Sequence, residues 1–233
     1  MDPFLTDWSV QQAFLEGLLT TLKLSAMAAA MALTLGFGMA FARVSEQSWL
    51  KWPAGAYVEL FRNTPLLIQL YLYYRGLQSA GLSLSPETCG VLALSLYTGA
   101  YLTEVFRSGL LAIPQTQSEA GLSLGLSRFK VYRLILVPQA MRLILPAIGN
   151  QLISLVKNSS LVAFITVNDL FLVIYKGAVD QFKPVEYFLE GAALYLSVSL
   201  SLSLGIKLIE KLMSPPTPKP QPALPTDLAA PHG

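Results

Sequence analysis

Asn150, Ser154, Lys157, Asn158 and Leu161 lie in one apolar stretch at i, i+4, i+7, i+8 and i+11. On a helix that spacing puts all five on one face, and four of them are polar. Gln151 lies beside them. A second apolar stretch repeats the pattern, with Tyr97, Tyr101, Glu104 and Ser108 sharing a face and Arg107 one helical turn from Glu104. Neither stripe suits hydrocarbon, where an ionisable side chain is costly and marks function by default. Together the stripes offer cationic and amide donors for a carboxylate and acceptors for an ammonium, which is what a path for a zwitterion needs. A plainer reading stays open for the charged pairs: Glu104 with Arg107, and Glu59 with Arg62, could neutralise each other within the chain.

Bond-making chemistry finds little support. The chain contains no Gly-Lys dipeptide, so it has no GxxxxGK[ST] phosphate loop. HExxH and CxxC are also missing, and the single histidine, His232, sits beside the C-terminal residue. One cysteine, Cys89, forms neither an internal disulfide nor a thiolate metal cage. Ser154 lies three residues before Lys157, but without a histidine the serines lack the usual general base. The expectation is a protein with no catalytic residue, no metal and no cofactor. A net charge of +2 leaves no electrostatic footprint for nucleic acid. Any energy source must come from another chain or from an ion gradient.

The elements that position these stripes follow from composition. The 233 residues are 53% hydrophobic and 13% charged, with mean hydropathy +0.52, against about 25% charged in an ordinary soluble domain. An all-α membrane protein is the class that absorbs so much apolar surface, and roughly 20 residues per span allow four to six spans. Five stretches are expected: about Leu19–Ala42, Pro65–Leu77, Cys89–Leu111, Leu143–Val167 and Tyr187–Ile209. The second is short unless it reaches back through Tyr57–Phe61. With the N-terminus outside, Arg43, Lys51, Arg62, Arg107, Arg128, Lys130, Arg133, Arg142, Lys207, Lys211 and Lys219 fall on inner segments. That is 11 of the 16 basic residues, so the positive-inside rule favours N-out, C-in and hence an odd number of spans.

Residues 1–14 are read as an outer N-terminal segment; Asp2, Asp7 and Glu16 without a basic residue before Lys23 do not resemble a signal peptide. The tail, 212–233, holds seven of the 15 prolines and is expected to be a disordered cytoplasmic extension. In the first span Ala28, Ala32, Gly36 and Ala40 recur every four residues, a small-residue row that lets another helix approach closely.

The long inner loop, 113–142, predicts a short helix with Glu119 near its start, a left-handed cap at Gly125, and a second, basic amphipathic helix ending at Pro138. Here the chain resembles a known family. Glu119-Ala120, Gly125, Ile135 and Pro138 match the spacing of the Glu-Ala-Ala…Gly…Ile-x-Leu-Pro signature of ATP-binding-cassette (ABC) importer membrane subunits. Gly121 stands for the second Ala and Val137 for the Leu. The resemblance to polar amino-acid uptake permeases extends over about residues 15–211. It includes Gly17–Leu22, Tyr57–Leu66 with its Phe61-Arg62-Asn63-Thr64-Pro65 core, Thr98–Tyr101 with Glu104 and Arg107, Pro138–Ala140, and Lys157-Asn158-Ser159-Ser160-Leu161.

The resemblance implies a type I ABC importer transmembrane domain in the bacterial inner membrane, without enzymatic activity of its own. Two permease protomers, identical or sister chains, would form the path. Two ATPase subunits would dock below and receive the loop at Glu119, Ala120, Gly121 and Gly125. A periplasmic or lipid-anchored binding protein would deliver the amino acid. Several basic-amino-acid permeases of the family carry Glu where this chain has Gln151, so acidic or neutral substrates such as glutamate, aspartate or glutamine are expected. The competing expectation is a self-sufficient carrier, which needs an ion-coupling carboxylate at mid-membrane and usually an internal repeat. No convincing repeat is present, and Glu104 lies toward the inner end of its span.

Overall fold

The computed structural model describes residues 8–213. The expectations for the extreme N-terminus and for the Pro-rich tail after Met213 lie outside the described residues. Among those residues the chain is all helix, without a strand: α1 (Trp8–Val44), α2 (Ser48–Asn63), α3 (Leu66–Tyr71), α4 (Leu77–Ser79), α5 (Pro86–Leu111), α6 (Gln115–Ser123), α7 (Arg128–Val131), α8 (Val137–Asn158), α9 (Leu170–Asp180) and α10 (Pro184–Met213). π-helical turns join α3 to α4 (Leu72–Gly76) and α7 to α8 (Tyr132–Leu136), and a 3-10 segment, Ser159–Ile165, extends α8. Four stretches are long and apolar enough to cross a membrane: Trp8–Val44, Pro86–Leu111, Arg128–Ile165 and Pro184–Met213.

The second expected stretch, Pro65–Leu77, does not reach back through Tyr57–Phe61. α2 ends at Asn63, Thr64 is extended, and α3 begins after Pro65. Proline disfavours helical geometry in the residue before it, so Tyr57–Phe61 belong to a separate helix from Leu66–Tyr71. Gln69, 5% exposed, repairs the break. Its Nε2 donates to the Phe61 carbonyl at 3.0 Å and to the Thr64 carbonyl at 2.9 Å. Non-helical backbone inside a span persists only where such groups are satisfied. Gln69→Leu removes both bonds; at about 0.6–1.7 kcal/mol each, the expected loss is roughly 1–3 kcal/mol, read as a lowered melting temperature of the purified protein in detergent.

α5 is the centre of the bundle. It begins at a helix start written locally: Ser85 Oγ accepts from the Thr88 amide at 3.2 Å, and Pro86 occupies the first turn. Its buried residues run from Cys89 to Gly109. The small-residue row of α1 is the face that meets it: Ala28, Ala32 and Ala40 are fully buried, and a Cβ on Gly36 would sit 2.7 Å from Leu102 Cβ. α8 packs against both α5 and α1, with Ile144 and Ile148 joining Ala32, Ala40, Leu102 and Phe106 in one cluster, and α10, which buries only Tyr187 and Gly191, closes the periphery against α8 and α9.

α9 was not expected from the sequence. Asp169 caps it, accepting from the Leu172 amide at 3.0 Å, while Thr21 Oγ1 of α1 accepts from the Leu170 amide at 3.1 Å. A Cβ on Gly177 would overlap the ring of Tyr187, so the absence of a side chain there is what lets α9 lie against α10.

Candidate functional site

The hairpin of the 113–142 loop is formed by α6 and α7. Pro114 fixes the backbone ahead of α6, so the helix starts at Gln115 and Glu119 falls in its second turn rather than near its start. The cap at Gly125 is as expected, with φ +78°. The Gly125 amide donates to the Leu122 carbonyl at 2.9 Å and the Leu126 amide to the Gly121 carbonyl at 3.1 Å, closing the helix end. Ser127 then opens α7, its Oγ accepting from the Lys130 amide at 3.4 Å. Gly121 is buried where α6 meets the next helix; a Cβ there would lie 2.8 Å from Ile135 Cδ1 and 3.0 Å from Val131 Cγ2. Close packing of α6 is thus the physical use of the residue that departs from the signature. Glu119, Ala120, Leu122, Leu124 and Phe129 remain exposed.

The second hairpin helix does not end at Pro138, which corrects the expected boundary. The π-helical turn Tyr132–Leu136 absorbs the proline, and Gln139 Nε2 donates to the Ile135 carbonyl at 2.9 Å. One helical rod therefore runs from Arg128 to Ile165, joining the hairpin to the fourth-span stripe.

On that rod Leu155 and Val156 point into the bundle, while Asn150 and Lys157 are exposed and Gln151, Ser154 and Asn158 are half-buried. None of those five polar side chains has a hydrogen-bond or ion-pair partner among the described residues. The stripe is thus continuous, polar and turned away from the subunit's own core.

The third-span stripe is different, because its polar atoms are engaged. Tyr97 Oη donates to Tyr101 Oη at 3.3 Å. Arg107 grips Glu104 with Nε at 2.9 Å and Nη2 at 2.8 Å from Oε2, and Arg43 of α1 approaches Oε1 at 3.4 Å. The geometry supports the ion-pair reading of Glu104. Arg43 is the partner that sequence periodicity missed; it lies 61 residues away, and spacing within one helix carries no signal across two. For the other pair, Glu59 instead accepts from Asn63 Nδ2 at 2.9 Å, and Arg62 lies over the ring of Tyr101, 5.0 Å from its centroid.

An all-helical membrane bundle with one unpartnered polar face and a surface hairpin has the build of a transport subunit. Residues 32–215 match the family described as "Binding-protein-dependent transport system inner membrane component". The chain is 36% identical to an octopine transport system permease protein of Rhizobium meliloti over 97% of its length and 95% of that protein. A probable glutamine ABC transporter permease of Bacillus subtilis is 33% identical over 85% of the chain and 92% of the relative. For an arginine transport system permease of the same organism the values are 35%, 84% and 90%. Among solved structures, "Crystal structure of an amino acid ABC transporter with histidines" superposes with TM-score 0.83 at 34% identity, covering 90% of this chain and 98% of that one. An inward-facing methionine ABC transporter shares the fold, with TM-score 0.76 at 17% identity over 92% and 100%.

The chain belongs to the binding-protein-dependent transport system inner membrane components: it is a multi-pass inner-membrane ABC transporter permease with a type I importer fold. These relatives do not favour the self-sufficient carrier.

Proposed function

We propose that this permease forms half of the translocation path of an ATP-driven amino-acid importer, oriented N-out and C-in, with residues 15–211 as the working domain. The observation that carries the proposal is the unpartnered stripe Asn150, Gln151, Ser154, Lys157 and Asn158 on a helix that crosses the membrane. Such a face cannot rest against lipid, and a second permease protomer closing over it makes a wet passage lined with hydrogen-bond donors. Tyr101 belongs to the same passage from the third span. Glu104, candidate though it was, serves the path by holding two arginines.

The permeases this chain resembles transport octopine, glutamine and arginine according to their names, which supports an amino-acid-like substrate. Within that class a carboxylate-bearing acidic or neutral molecule fits best. Lys157 and Arg62 have no carboxylate partner among the described residues, and the one acid of the third span is neutralised twice. Coupling falls to the hairpin, 113–142. Glu119 and Ala120, beside exposed Leu122, Leu124 and Phe129, form a mixed acidic and apolar surface suited to a groove on a separate ATPase subunit. Gly121 and Gly125 set its packing and its turn.

The path is tested at Lys157. A charge-assisted hydrogen bond is worth about 1.5–3 kcal/mol, so Lys157→Ala should weaken binding of radiolabelled glutamine or glutamate to the permease–ATPase complex by roughly 10- to 100-fold. Unchanged affinity in a correctly assembled complex returns Lys157 to a structural role.

A further inference from the structure

Trp49, Trp52, Ala56 and Leu60 follow one another at i, i+3, i+7 and i+11 of α2, which lines them along one helix face. Trp49, Trp52 and Leu60 are 71%, 78% and 63% exposed, and Ala56 is exposed with them. The opposite side of the helix, at Ala54 and Val58, is the one packed into the bundle. α2 is therefore apolar on two sides, with Lys51 and Glu59 along the seam between them. Its 16 residues reach about 24 Å, short of the ~30 Å of hydrocarbon in a bilayer, and α2 is not among the four membrane-crossing stretches. Only residues 45–47 separate it from the end of α1, so it starts where a crossing helix leaves the membrane. Indole rings concentrate at that level, and helices with an exposed apolar stripe lie in it.

Beside the stripe a cleft of about 340 Å³ is walled by Arg43, Lys51, Trp52, Gly55, Ala56 and Glu59. Gly55 leaves room for Arg43: a Cβ there would sit 2.8 Å from Arg43 Nη1. Arg43 gives Nε and Nη2 to Glu104, which leaves Nη1 for a further acceptor. Arg43 and Arg107 share that one carboxylate, so the trio keeps a positive charge. Lys51 is exposed and has no ion-pair partner among the described residues. Glu59, the acid of the cleft, has its Oε2 bound by Asn63 Nδ2 at 2.9 Å. Two cations against one acid favour an anionic occupant. A second protein would also cover the apolar stripe, but lysine is depleted from protein interfaces, whereas basic residues beside an interfacial helix suit anionic lipid.

We propose that α2 lies in the membrane–water interface and that its cleft holds the head-group phosphate of an anionic phospholipid between Arg43 and Lys51. The acyl chains of that lipid cover the stripe from Trp49 to Leu60.

The test uses the full chain carrying Trp8→Phe and Trp49→Phe, which leaves Trp52 as the sole indole, reconstituted into phosphatidylcholine vesicles. Phosphatidylglycerol or phosphatidylcholine brominated on its acyl chains is then titrated in, and quenching of Trp52 fluorescence is read. Brominated phosphatidylglycerol should quench at concentrations about fivefold lower than brominated phosphatidylcholine, the effect of one basic residue near the surface. Lys51→Gln should remove most of that preference, Lys51→Glu should abolish it, and Glu59→Gln should raise it. High salt should weaken it, because an exposed lysine is screened. If the double tryptophan variant does not fold, Trp8→Phe with Trp52→Phe makes Trp49 the reporter of the same preference. Equal quenching by the two lipids, unmoved by the Lys51 changes, would overturn the head-group site. Quenching by neither lipid would show the stripe covered by protein, such as a second copy of this chain, and would overturn the proposal altogether.

Discussion

Glu119→Lys is expected to cut ATP-driven uptake at least tenfold while leaving the subunit folded in the membrane. Glu119 is exposed in the second turn of α6, so the substitution breaks no internal contact among the described residues. It replaces an acid with a base on the surface proposed to meet the ATPase. Rim charges of this kind steer encounter and reject wrong partners, and a like-charge juxtaposition at an interface costs several kcal/mol. A coupling free energy between sites is itself only about 1–3 kcal/mol, so the penalty exceeds what drives the transmission. Transport should fall by tenfold or more. The ATPase should either fail to co-purify or hydrolyse ATP without responding to the loaded binding protein. Normal uptake by the variant would show that the hairpin is not where the two chains communicate.

The second large effect is on stability. Glu104→Gln leaves the Arg43 and Arg107 guanidiniums facing one neutral amide. The three side chains are 19–32% exposed, so the pairs are partly screened. Breaking a fully buried pair costs about 3–5 kcal/mol, and partial exposure places the expected loss below that range, at roughly 2–3 kcal/mol. Arg43→Gln combined with Glu104→Gln should recover part of it, because the double variant retains one guanidinium instead of two. Thermal unfolding of the four proteins in detergent gives the coupling directly. Strict additivity would mean that Arg43 and Glu104 do not interact. The pair also joins the C-terminal end of α1 to α5 at Glu104, eleven residues before α6 begins, so the loss should appear at the end of the bundle nearest the hairpin.

Much of this architecture was legible in the chain. Apolar runs longer than 20 residues located the helices now seen as α1, α5, α8 and α10, because backbone polar groups in hydrocarbon leave few alternatives to a helix. The row Ala28, Ala32, Gly36, Ala40 announced a helix contact, and Gly125 announced its own left-handed turn. The errors have local physical causes. Whether Tyr57–Phe61 joined the second stretch stayed open, because hydropathy does not register the backbone geometry that Pro65 imposes. Pro138 failed to end a helix because a π-helical turn and Gln139 absorbed it, a compensation invisible to the rule that proline terminates. α9 was missed since its Asp169 cap and its Gly177 seat matter only once α1 and α10 are in place.

The polar stripe of the fourth span was read directly from i, i+4, i+7 spacing, because helix periodicity is a property of one segment. The partners of Arg43 and Arg62 were not legible, for the converse reason. Their partners, Glu104 and Tyr101, stand on other helices, and a single sequence carries no record of which faces meet. Glu59 looked like the mate of Arg62 at i−3, yet α2 gives Glu59 to Asn63 and turns Arg62 toward α5.

The central claim is that this subunit is a conduit worked by a separate ATPase. Its most direct test is reconstitution of the permease into liposomes, alone and with its ATPase and binding protein, followed by uptake of radiolabelled glutamine, glutamate or arginine. The account predicts uptake only in the complete assembly supplied with ATP, and none from the subunit alone under proton or sodium gradients. Gradient-driven uptake by the purified subunit, without ATP or companion proteins, would contradict it.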